Sequence, residues 1–467
     1  MIEGLKPYAE YKESGQKWLG GVPAHWDLKP GHAAFGKRKE SNRGMKEKTV
    51  LSLSYGRIKV KATDKQHGLV PESYETYQVV NEGNVIIRGT DLQNDHTSLR
   101  IGLSRNRGII SSAYLCLQAL PSITPDYGYQ ILNVFDLTKA IYRYGSGLRQ
   151  NLDHGEIKRL PIFLPPLDEQ AAIVRFLDHA NRKIDGFIRA KRKLIGLLNE
   201  QKQAIIHRAV TRGLHPDVPL KPSGIPWLGD IPKHWEVARI GQKSKVMRGR
   251  FSHRPRNAPQ FYGGPYPFIQ TGDMSAVDKF IVDHSQTLNE RGLAISKMFR
   301  AGTLAMIITG AKTGHVAILN FDACFPDSAV GFSPDKSQVD NVFLYYVFIA
   351  LKGELDRAAI TSTQENLNVQ RIRCQVAAWP SLGEQTEIVN YLDIELDART
   401  TVIARTDREI ALMQEYRTRL TADLVTGKLD VREAAAKLPD LPTDAAAPAE
   451  PLTDEAPEES ETEEAEA

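Results

Sequence analysis

Two histidines recur in equivalent sequence contexts and are the first candidates for chemistry. His25 stands in PAHW and His234 in PKHW, each between a proline and a tryptophan. A repeated imidazole could bind a metal ion or transfer protons. Neither histidine has a cysteine, an aspartate or a second histidine at metal-ligand spacing. The sequence therefore favours a packing or hydrogen-bonding role over catalysis.

Motifs for nucleotide, cofactor or methyl-transfer chemistry are not found. VTGKLD lacks the glycine of a phosphate-binding loop, because residue 422 is alanine. YGSGLRQ contains Gly145 and Gly147 but has Gln150 where a dinucleotide or S-adenosylmethionine loop needs a third glycine. FLPPLD has leucine on both sides of its proline pair, unlike the base-holding motif of amino-methyltransferases. We predict no catalytic, metal or cofactor-binding residue, and we expect that the chain is not an enzyme.

Basic residues follow each of the two histidines. GKRKESNRGMKEK (36–48) and KSKVMRGRFSHRPRN (243–257) each contain six Lys or Arg. Flexible loops with planar guanidinium groups suit phosphate contacts and bidentate recognition of guanine in a major groove. A solvated face is the alternative for either segment alone, and recurrence at equivalent positions favours DNA binding. The predicted DNA-binding residues of these segments are Lys37, Arg38, Lys39, Arg43, Lys46, Arg248, Arg250, Arg254 and Arg256.

A second polar cluster is repeated further along the chain, as GSGLRQNL (145–152) and STQENL (362–367). Its side chains could contact bases or phosphates, and turn capping is the alternative. A strand-like stretch of the second half, PYPFIQTGDM, contributes one more amide side chain. The predicted DNA-binding residues of these stretches are Arg149, Gln150, Gln270 and Gln364.

Two internal repeats must position these groups. SGQKWLGGVPAHW (14–26) returns as SGIPWLGDIPKHW (223–235), and EQAAIVRFLD (169–178) returns as EQTEIVNYLD (384–393). The repeats occur in the same order at offsets of 209 and 215 residues, so the chain is a tandem duplication. The ends of the two halves match while their middles diverge. We therefore predict two equivalent domains that carry two different faces, with the repeated tryptophans Trp18, Trp26, Trp227 and Trp235 packing the entry of each domain.

Each segment after the Glu-Gln pair is predicted to form one long helix. Its apolar residues step by three and four, the spacing of a coiled-coil seam. From Val174 to Ala209 such a helix spans ~54 Å at ~1.5 Å per residue. We predict that the two helices pair as an antiparallel coiled coil; the alternative is that each packs on its own domain. The predicted seam positions are Val174, Leu177, Asn181, Ile184, Ile188, Lys191, Ile195, Leu198, Lys202, Ile205 and Ala209 in the first helix, and Val389, Leu392, Leu396, Arg399, Ile403, Thr406, Ile410, Met413, Arg417, Leu420 and Leu424 in the second.

The segments that precede the helices contain short runs rich in β-branched and aromatic residues, bounded by Gly, Pro, Asn and Asp. Each is predicted to be a mixed α/β domain, which makes the fold class α+β with a pseudo-twofold internal repeat. The predicted boundaries are 1–165 and 214–380 for the mixed domains, 166–213 and 381–430 for the long helices, and 431–467 for a disordered acidic tail.

Charge is distributed unevenly along the chain. The last thirty residues contain eleven acidic residues and no Lys or Arg, a composition typical of disorder. The remaining residues carry 60 basic and 46 acidic side chains, a charge of +14 that favours a nucleic-acid partner. The sequence has three scattered cysteines, no signal peptide and no apolar run near the ~18 residues of a membrane span, so we expect a cytoplasmic protein without a membrane partner.

This set of motifs resembles the specificity subunits of type I restriction-modification systems. The resemblance is carried by WLGGVPAHW and WLGDIPKHW together with LPPLDEQAAIVRFLD and WPSLGEQTEIVNYLD, and it covers residues 14 to 430. In that family two target recognition domains alternate with two long helices. The resemblance implies a non-catalytic protein that binds double-stranded DNA, two methyltransferase subunits, which bind S-adenosylmethionine, and restriction/translocase subunits. PYPFIQTGDM also resembles the family pattern, whereas the first domain has TVLSLSYGRI instead.

The duplication and the long helices together predict a bipartite, asymmetric DNA target. Each domain would contact one half-site, and the helices would set the distance between the half-sites. Two other functions stay open at this point. One is a restriction enzyme or methylase with its own active site, and the other is a coiled-coil adaptor that does not bind DNA.

Overall fold

The computed structural model of the chain describes residues 5–16, 19–61, 73–90, 92, 98–145, 151–253, 258–358, 360–361 and 365–439. Two compact units are present. Residues up to 192 and from 407 onward form unit 1, and residues 193–406 form unit 2. Each unit therefore combines one mixed domain with the first part of the long helix that follows it and the last part of the other long helix.

The mixed domain of unit 1 is built around the antiparallel sheet β4-β11-β8-β9. Its central strand β8 has the sequence VII and is fully buried, as expected for a continuous apolar run. Thr124 caps α1 by accepting a hydrogen bond from the N–H of Tyr127. The elements are β1 Tyr11–Glu13, β2 Gly21–Pro23, β3 Asp27–Pro30, β4 Phe35–Lys37, β5 Leu51–Ser54, β6 Arg57–Val60, β7 Gln78–Val80, β8 Val85–Ile87, β9 Ile101–Leu103, β10 Gly108–Ile110, β11 Leu115–Ala119, α1 Pro125–Leu137, α2 His154–Arg159 and β12 Pro161–Leu164.

The mixed domain of unit 2 has an equivalent sheet, β16-β24-β21-β22-β18. Its central strand β21 is again continuously apolar and buried. Asp340 caps α7, which occupies the position of α1. The elements are β13 Leu220–Pro222, β14 Asp230–Pro232, β15 Glu236–Arg239, α4 Ile240–Lys243, β16 Ser244–Arg248, β17 Tyr262–Phe268, α5 Thr271–Ser275, β18 Phe280–Ile281, β19 Gln286–Leu288, α6 Glu290–Ala294, β20 Met298–Phe299, β21 Leu304–Ile307, β22 Val316–Leu319, β23 Ala323–Cys324, β24 Ala329–Pro334, α7 Asn341–Ala350, α8 Lys352–Ala358, β25 Ile360–Thr361, β26 Glu365–Asn366, α9 Val369–Cys374 and β27 Val376–Trp379.

The two long helices predicted from the heptad spacing are α3, Leu167–Arg212, and α10, Leu382–Val425. A short helix, α11 (Arg432–Ala436), follows α10. All 22 predicted seam residues are buried or half-buried. Their neighbours on the outer faces, such as Lys193 and Asp407, are exposed. The apolar stripe of each helix is thus covered along its whole length, as its sequence pattern requires.

Within each unit, parts of the two long helices contact each other. In unit 1, Lys191 forms an ion pair of 2.6 Å with Glu409, and Asp185 pairs with Arg417. The residue number rises along α3 while it falls along α10, so these parts run antiparallel. In unit 2, the Lys202 ammonium donates a 3.0 Å hydrogen bond to the Thr400 hydroxyl, and Arg399 donates to Gln201 at 3.2 Å.

Each unit has its own hydrophobic core, which includes residues of both long helices. In unit 1, Leu177 of α3 and Leu424 of α10 join a core that contains Trp26 and Tyr127. In unit 2, Leu392 of α10 and Val210 of α3 join the core around Trp235 and Phe343. Burial of a large apolar side chain contributes about 1.5–3 kcal/mol. The ends of the long helices are therefore held by the mixed domains as well as by each other.

Candidate nucleic-acid interface

The two sequence repeats bind each other in both units. In unit 1, the Trp26 indole N–H donates to Glu169 Oε1 at 2.8 Å, and His25 Nε2 lies 2.8 Å from Glu169 Oε2. In unit 2, Trp235 and His234 contact the two oxygens of Glu384 at 2.9 and 3.0 Å. Both histidines thus have the hydrogen-bonding role that the sequence favoured, and their partner is the glutamate of the Glu-Gln pair.

Of the other two repeated tryptophans, Trp18 and Trp227, only Trp227 lies in the described part of the chain. Trp227 is half-buried and donates a hydrogen bond of 3.2 Å to the Val376 carbonyl. Trp18 lies outside the described residues. No group of three or more His, Cys, Asp or Glu side chains in the described ranges could hold a metal ion. The repeats therefore serve to attach each domain to its long helix.

The glutamine of the Glu-Gln pair attaches the long helix to the first helix of the domain. In unit 1, the Gln170 amide donates to the Ser122 and Pro165 carbonyls, both at 3.0 Å, and accepts from the Thr124 N–H at 2.9 Å. Gln385 makes the same three bonds in unit 2, to the Gln338 carbonyl at 2.8 Å, the Pro380 carbonyl at 2.9 Å and the Asp340 N–H at 2.8 Å. Because Thr124 and Asp340 are the caps of α1 and α7, each glutamine fixes the start of two helices.

Strand directions bring separate loops together in unit 1. β4 and β8 both pair antiparallel with β11, so they run in the same direction. Leu117 of β11 lies opposite Lys37 of β4 and also opposite Val85 of β8. The basic segment after β4 and the loop after β8 consequently leave the sheet at the same end, which we call the loop end.

The second polar cluster reaches the same end of this sheet. The Leu152 N–H donates a 2.7 Å hydrogen bond to the carbonyl of Gly89, two residues after β8. A Cβ atom on residue 89 would lie 2.0 Å from the Leu152 carbonyl oxygen, so this close approach requires glycine. Asn151, the last residue of the cluster before Leu152, is therefore held beside the loop that follows β8.

Unit 2 has the same arrangement with different residues. β16 and β21 both pair antiparallel with β24, where Val330 lies opposite Arg248 and Met306. The basic segment after β16 and the loop 308–315 therefore start at the loop end of this sheet. The Leu367 N–H donates a 2.9 Å bond to the Ile308 carbonyl, which places the end of the second polar cluster there as well.

The structure corrects the prediction that the basic segment of unit 1 is simply a flexible loop. Lys37 is the last residue of β4, because the segment still pairs with β11 there. Arg38 is half-buried and forms an ion pair with Glu40. Lys39, Arg43 and Lys46 are exposed, as a DNA contact requires. Arg149 and Gln150 lie outside the described residues.

In unit 2 the predicted loop is also partly regular structure. Lys243 ends α4, and Arg248 ends β16 with its guanidinium donating to the Asp327 carbonyl at 2.6 Å. Arg250 donates to the Ser296 carbonyl at 2.9 Å. Gln270 is the residue before α5 and donates to the Gln286 amide oxygen at 2.9 Å. Arg254, Arg256 and Gln364 lie outside the described residues.

Two side chains of the loop end were missed in the sequence. Lys312 is exposed in the loop after β21, within the run TGAKTG; a glycine-rich run with a lysine directly after an apolar strand was the signal. Arg100 precedes β9 and is 1% exposed, and its guanidinium donates to the Thr90 carbonyl at 2.7 Å. Its burial had no sequence signal, because a lone arginine is normally exposed.

The comparisons with known proteins agree on one family. The family model described as "Type I restriction modification DNA specificity domain" matches residues 232–411. A putative type I restriction enzyme MjaX specificity subunit of Methanocaldococcus jannaschii is 25% identical over 315 residues, covering 66% of this chain and 69% of the relative. The type I restriction enzyme MjaVIII specificity subunit of the same organism is 26% identical over 368 residues, covering 76% of this chain and 81% of the relative.

A solved structure has a similar fold. Its description is "Structural basis underlying complex assembly and conformational transition of the type I R-M system". The match has a TM-score of 0.63 at 16% identity and covers 86% of this chain and 98% of that chain. Separately, none of the helices in the described part of the chain combines the length and apolar composition of a membrane-spanning helix.

Proposed function

We propose that the chain is a specificity subunit of the type I restriction-modification family and that its two mixed domains bind the two halves of a bipartite, asymmetric DNA target. One observation carries this proposal. Both units bring a basic segment, the loop after the central strand and the second polar cluster to the loop end of equivalent sheets, with different residues in the two units. Equivalent frames with different side chains suit the recognition of two different half-sites.

We propose that α3 and α10 pair as an antiparallel coiled coil and set the spacing between the half-sites. The helices contain 46 and 44 residues. At ~1.5 Å per residue they extend ~69 and ~66 Å, more than the ~34 Å of one DNA turn. The interhelical bonds within each unit and the covered seam support the pairing. The equivalence of the two domains supports a pseudo-twofold repeat, and the boundaries predicted from the sequence stay our proposal for the domains.

We propose that the exposed faces of the long helices bind two methyltransferase subunits, through which restriction/translocase subunits join the complex. Ile394 and Leu412 of α10 are 74% and 63% exposed, and Leu197 of α3 is 53% exposed. Large apolar side chains exposed on a helix favour a protein partner. In this proposal the chain itself is not catalytic, and S-adenosylmethionine binds to the methyltransferase subunits.

The spacing role is tested by lengthening both helices. Lys202 contacts Thr400, so Asn199 of α3 lies near Thr401 of α10 along the helix pair. We would insert one heptad after Asn199 and one after Thr401, and express the chain with its methyltransferase subunits. The expected result is a target with unchanged half-sites and a spacer longer by about three base pairs, because seven residues add ~10 Å. Mapping methylated adenines in the host genome gives the readout.

A matched control places the same seven residues after Asp283, which is exposed in the loop between β18 and β19 of unit 2. This variant should keep the original spacer. If the heptad variant changed the recognised bases while the spacer stayed constant, the helices would not act as a ruler. Methylation of DNA by the purified chain without partners would show that the chain has its own active site. If the chain did not bind DNA at all, the coiled-coil adaptor would be the remaining function.

A further inference from the structure

Unit 2 contains a groove at its loop end, lined by apolar residues such as Phe348 and Ile349 together with a few polar side chains. The groove has a volume of about 210 Å³ and lies between the loop 308–315, the start of α8 and the long helix α3. Its polar lining includes Lys312 of the loop, Lys352 at the start of α8 and Gln203 of α3. Three separate elements thus direct long polar side chains towards one space.

The two lysines carry the chemistry of the groove. Lys312 is exposed, and no described carboxylate lies within ion-pair distance of it. Lys352 is 47% exposed and pairs with Asp356 one helical turn further along α8. Its ammonium lies 3.6 Å from the Cβ position of residue 314, so a side chain there would crowd the groove. Gly314 has a φ of +84°, which also favours glycine at this turn.

The other polar groups of the loop are used within the fold. Thr313 donates its hydroxyl proton to the Gly310 carbonyl at 2.6 Å, which closes the turn of the loop. His315 Nε2 lies 2.9 Å from the Met274 carbonyl oxygen. These bonds hold the loop in place, and Lys312 and Lys352 line the same groove. Two cations that line one groove suit a singly charged oxyanion bound between them.

The corresponding positions of unit 1 carry residues that are bonded within the fold. Arg100 and His315 each directly precede the strand that follows the loop, β9 or β22. Asp136 and Lys352 each lie twelve residues after the caps Thr124 and Asp340. In unit 1 the backbone N–H of Arg100 donates to the Asp136 carboxylate at 2.5 Å, and both residues are almost completely buried. Burial raises the pKa of Asp136, although the bond from Arg100 opposes that shift.

We infer that the groove of unit 2 binds one backbone phosphate of the DNA held by the second domain, between Lys312 and Lys352 with Gln203 as a neutral donor. This inference rests on the proposed function. A lysine contact to phosphate adds affinity and orientation without base recognition, so the groove orients the duplex for the base-reading loops.

The test measures DNA affinity of the full chain at several salt concentrations. The probe is a duplex that carries the methylation-mapped target, with single phosphates replaced in turn by neutral methylphosphonates next to the second half-site. We expect one replacement to weaken wild-type binding on the order of tenfold at low salt. The double variant Lys312→Ala/Lys352→Ala should bind the unmodified duplex about equally weakly and lose all sensitivity to that replacement. Its slope of log affinity against log salt should fall by about 0.9.

The control is Lys245→Ala/Lys336→Ala, which removes two exposed lysines near the opposite end of the same sheet. It removes the same charge and should keep the sensitivity to the methylphosphonate. Asp356→Asn frees Lys352 from its partner and should tighten binding several-fold at low salt. Inorganic phosphate at millimolar concentration should compete only weakly, because a free ion lacks the other contacts of the duplex.

The inference is overturned if the Lys312/Lys352 variant keeps the wild-type slope and the same methylphosphonate sensitivity. It is also overturned if the control variant loses the same affinity and the same methylphosphonate sensitivity as the Lys312/Lys352 variant. The loss of positive charge alone would then explain the weaker binding. Either result leaves sequence-specific DNA binding in place and so leaves the proposed function untouched. Failure of the wild-type chain to bind the target would instead reject the proposed function.

Discussion

Glu169 and Glu384 show how single residues connect distant parts of this chain. Each carboxylate accepts hydrogen bonds from a tryptophan and a histidine almost 150 residues away. Glu169 additionally accepts from the Tyr8 hydroxyl at 2.5 Å. Burial and this bond raise the pKa of Tyr8, so the hydroxyl stays a donor. A buried acceptor with several donors is costly to remove, since every donor is left without a partner.

The substitution Glu169→Ala should therefore destabilise unit 1 more than Glu384→Ala destabilises unit 2. Glu169 has three donors and a side chain that is 2% exposed, whereas Glu384 has two donors and 18% exposure. We expect losses of about 3 kcal/mol and about 1–2 kcal/mol in the free energy of unfolding. Denaturant titration of both variants measures this. Equal losses would mean that the Tyr8 bond contributes nothing.

The long helices belong to both units, which makes them the elements on which the architecture depends. α3 leaves unit 1 after Arg192 and ends in unit 2 at Arg212, and α10 passes between the units in the reverse order. Gly213 and Gly427 end the two helices with φ angles of +71° and +77°. At Gly427 an added Cβ would lie 2.4 Å from Pro23, so the helix end packs directly on the entry repeat.

The two glycines inside α3 neither end the helix nor pack closely on another element. Gly186 and Gly196 have negative φ, and nothing lies within 4 Å of an added Cβ at either position. Gly196→Ala should therefore raise the free energy of unfolding by about 0.5–1 kcal/mol, because alanine loses less backbone entropy in a helix. The target should stay the same. Thermal unfolding and methylation mapping check both expectations, with Gly427→Ala as the matched destabilising variant. A destabilised Gly196→Ala would show that this glycine has a partner-binding or bending role.

At the scale of the whole molecule, charge is divided between a basic body and an acidic end. Residues 428–438 still pack on unit 1: Arg432 lies 5.3 Å from the centre of the Tyr8 ring, and Arg175 donates to the Leu438 carbonyl. The eleven acidic residues beyond this segment offset most of the positive charge of the body. If the chain binds DNA as proposed, we expect them to lower its DNA affinity through long-range electrostatics, which salt screens.

Deletion of residues 440–467 should leave the unfolding temperature unchanged and raise non-specific DNA affinity several-fold at low salt. The deletion changes the net charge from +3 to +14 without removing any contact described here. The gain should disappear at high salt. Deletion from Lys428 onward is the control, and it should destabilise unit 1 because it removes the contacts of Asp430, Arg432 and Leu438. A lower unfolding temperature for the shorter deletion would contradict this division.

Local pattern was enough to predict the family resemblance, the duplication and the long helices. Heptad spacing depends on helix geometry alone, so the seam residues could be found without any tertiary contact. The basic segments were found by composition, and the segment that carries the exposed Lys39, Arg43 and Lys46 leaves its sheet at the loop end. The comparisons confirm the resemblance to type I specificity subunits. It could be predicted because it depends on repeated sequence motifs and not on the geometry of a site.

Only the tertiary structure decided which of these side chains remain available and which support the fold. Arg38, Arg248 and Gln270 all contact groups of their own domain. Arg38 pairs with Glu40 two residues along the chain, whereas the fold brings Asp327 beside Arg248 and Gln286 beside Gln270. More than a hundred residues of sequence separate Gln203 from Lys312 and Lys352. The three side chains line one groove only because α3 passes the loop end of unit 2. Sequence spacing specifies neighbours along one element, whereas contacts between elements depend on sheet order and helix packing, which no local pattern encodes.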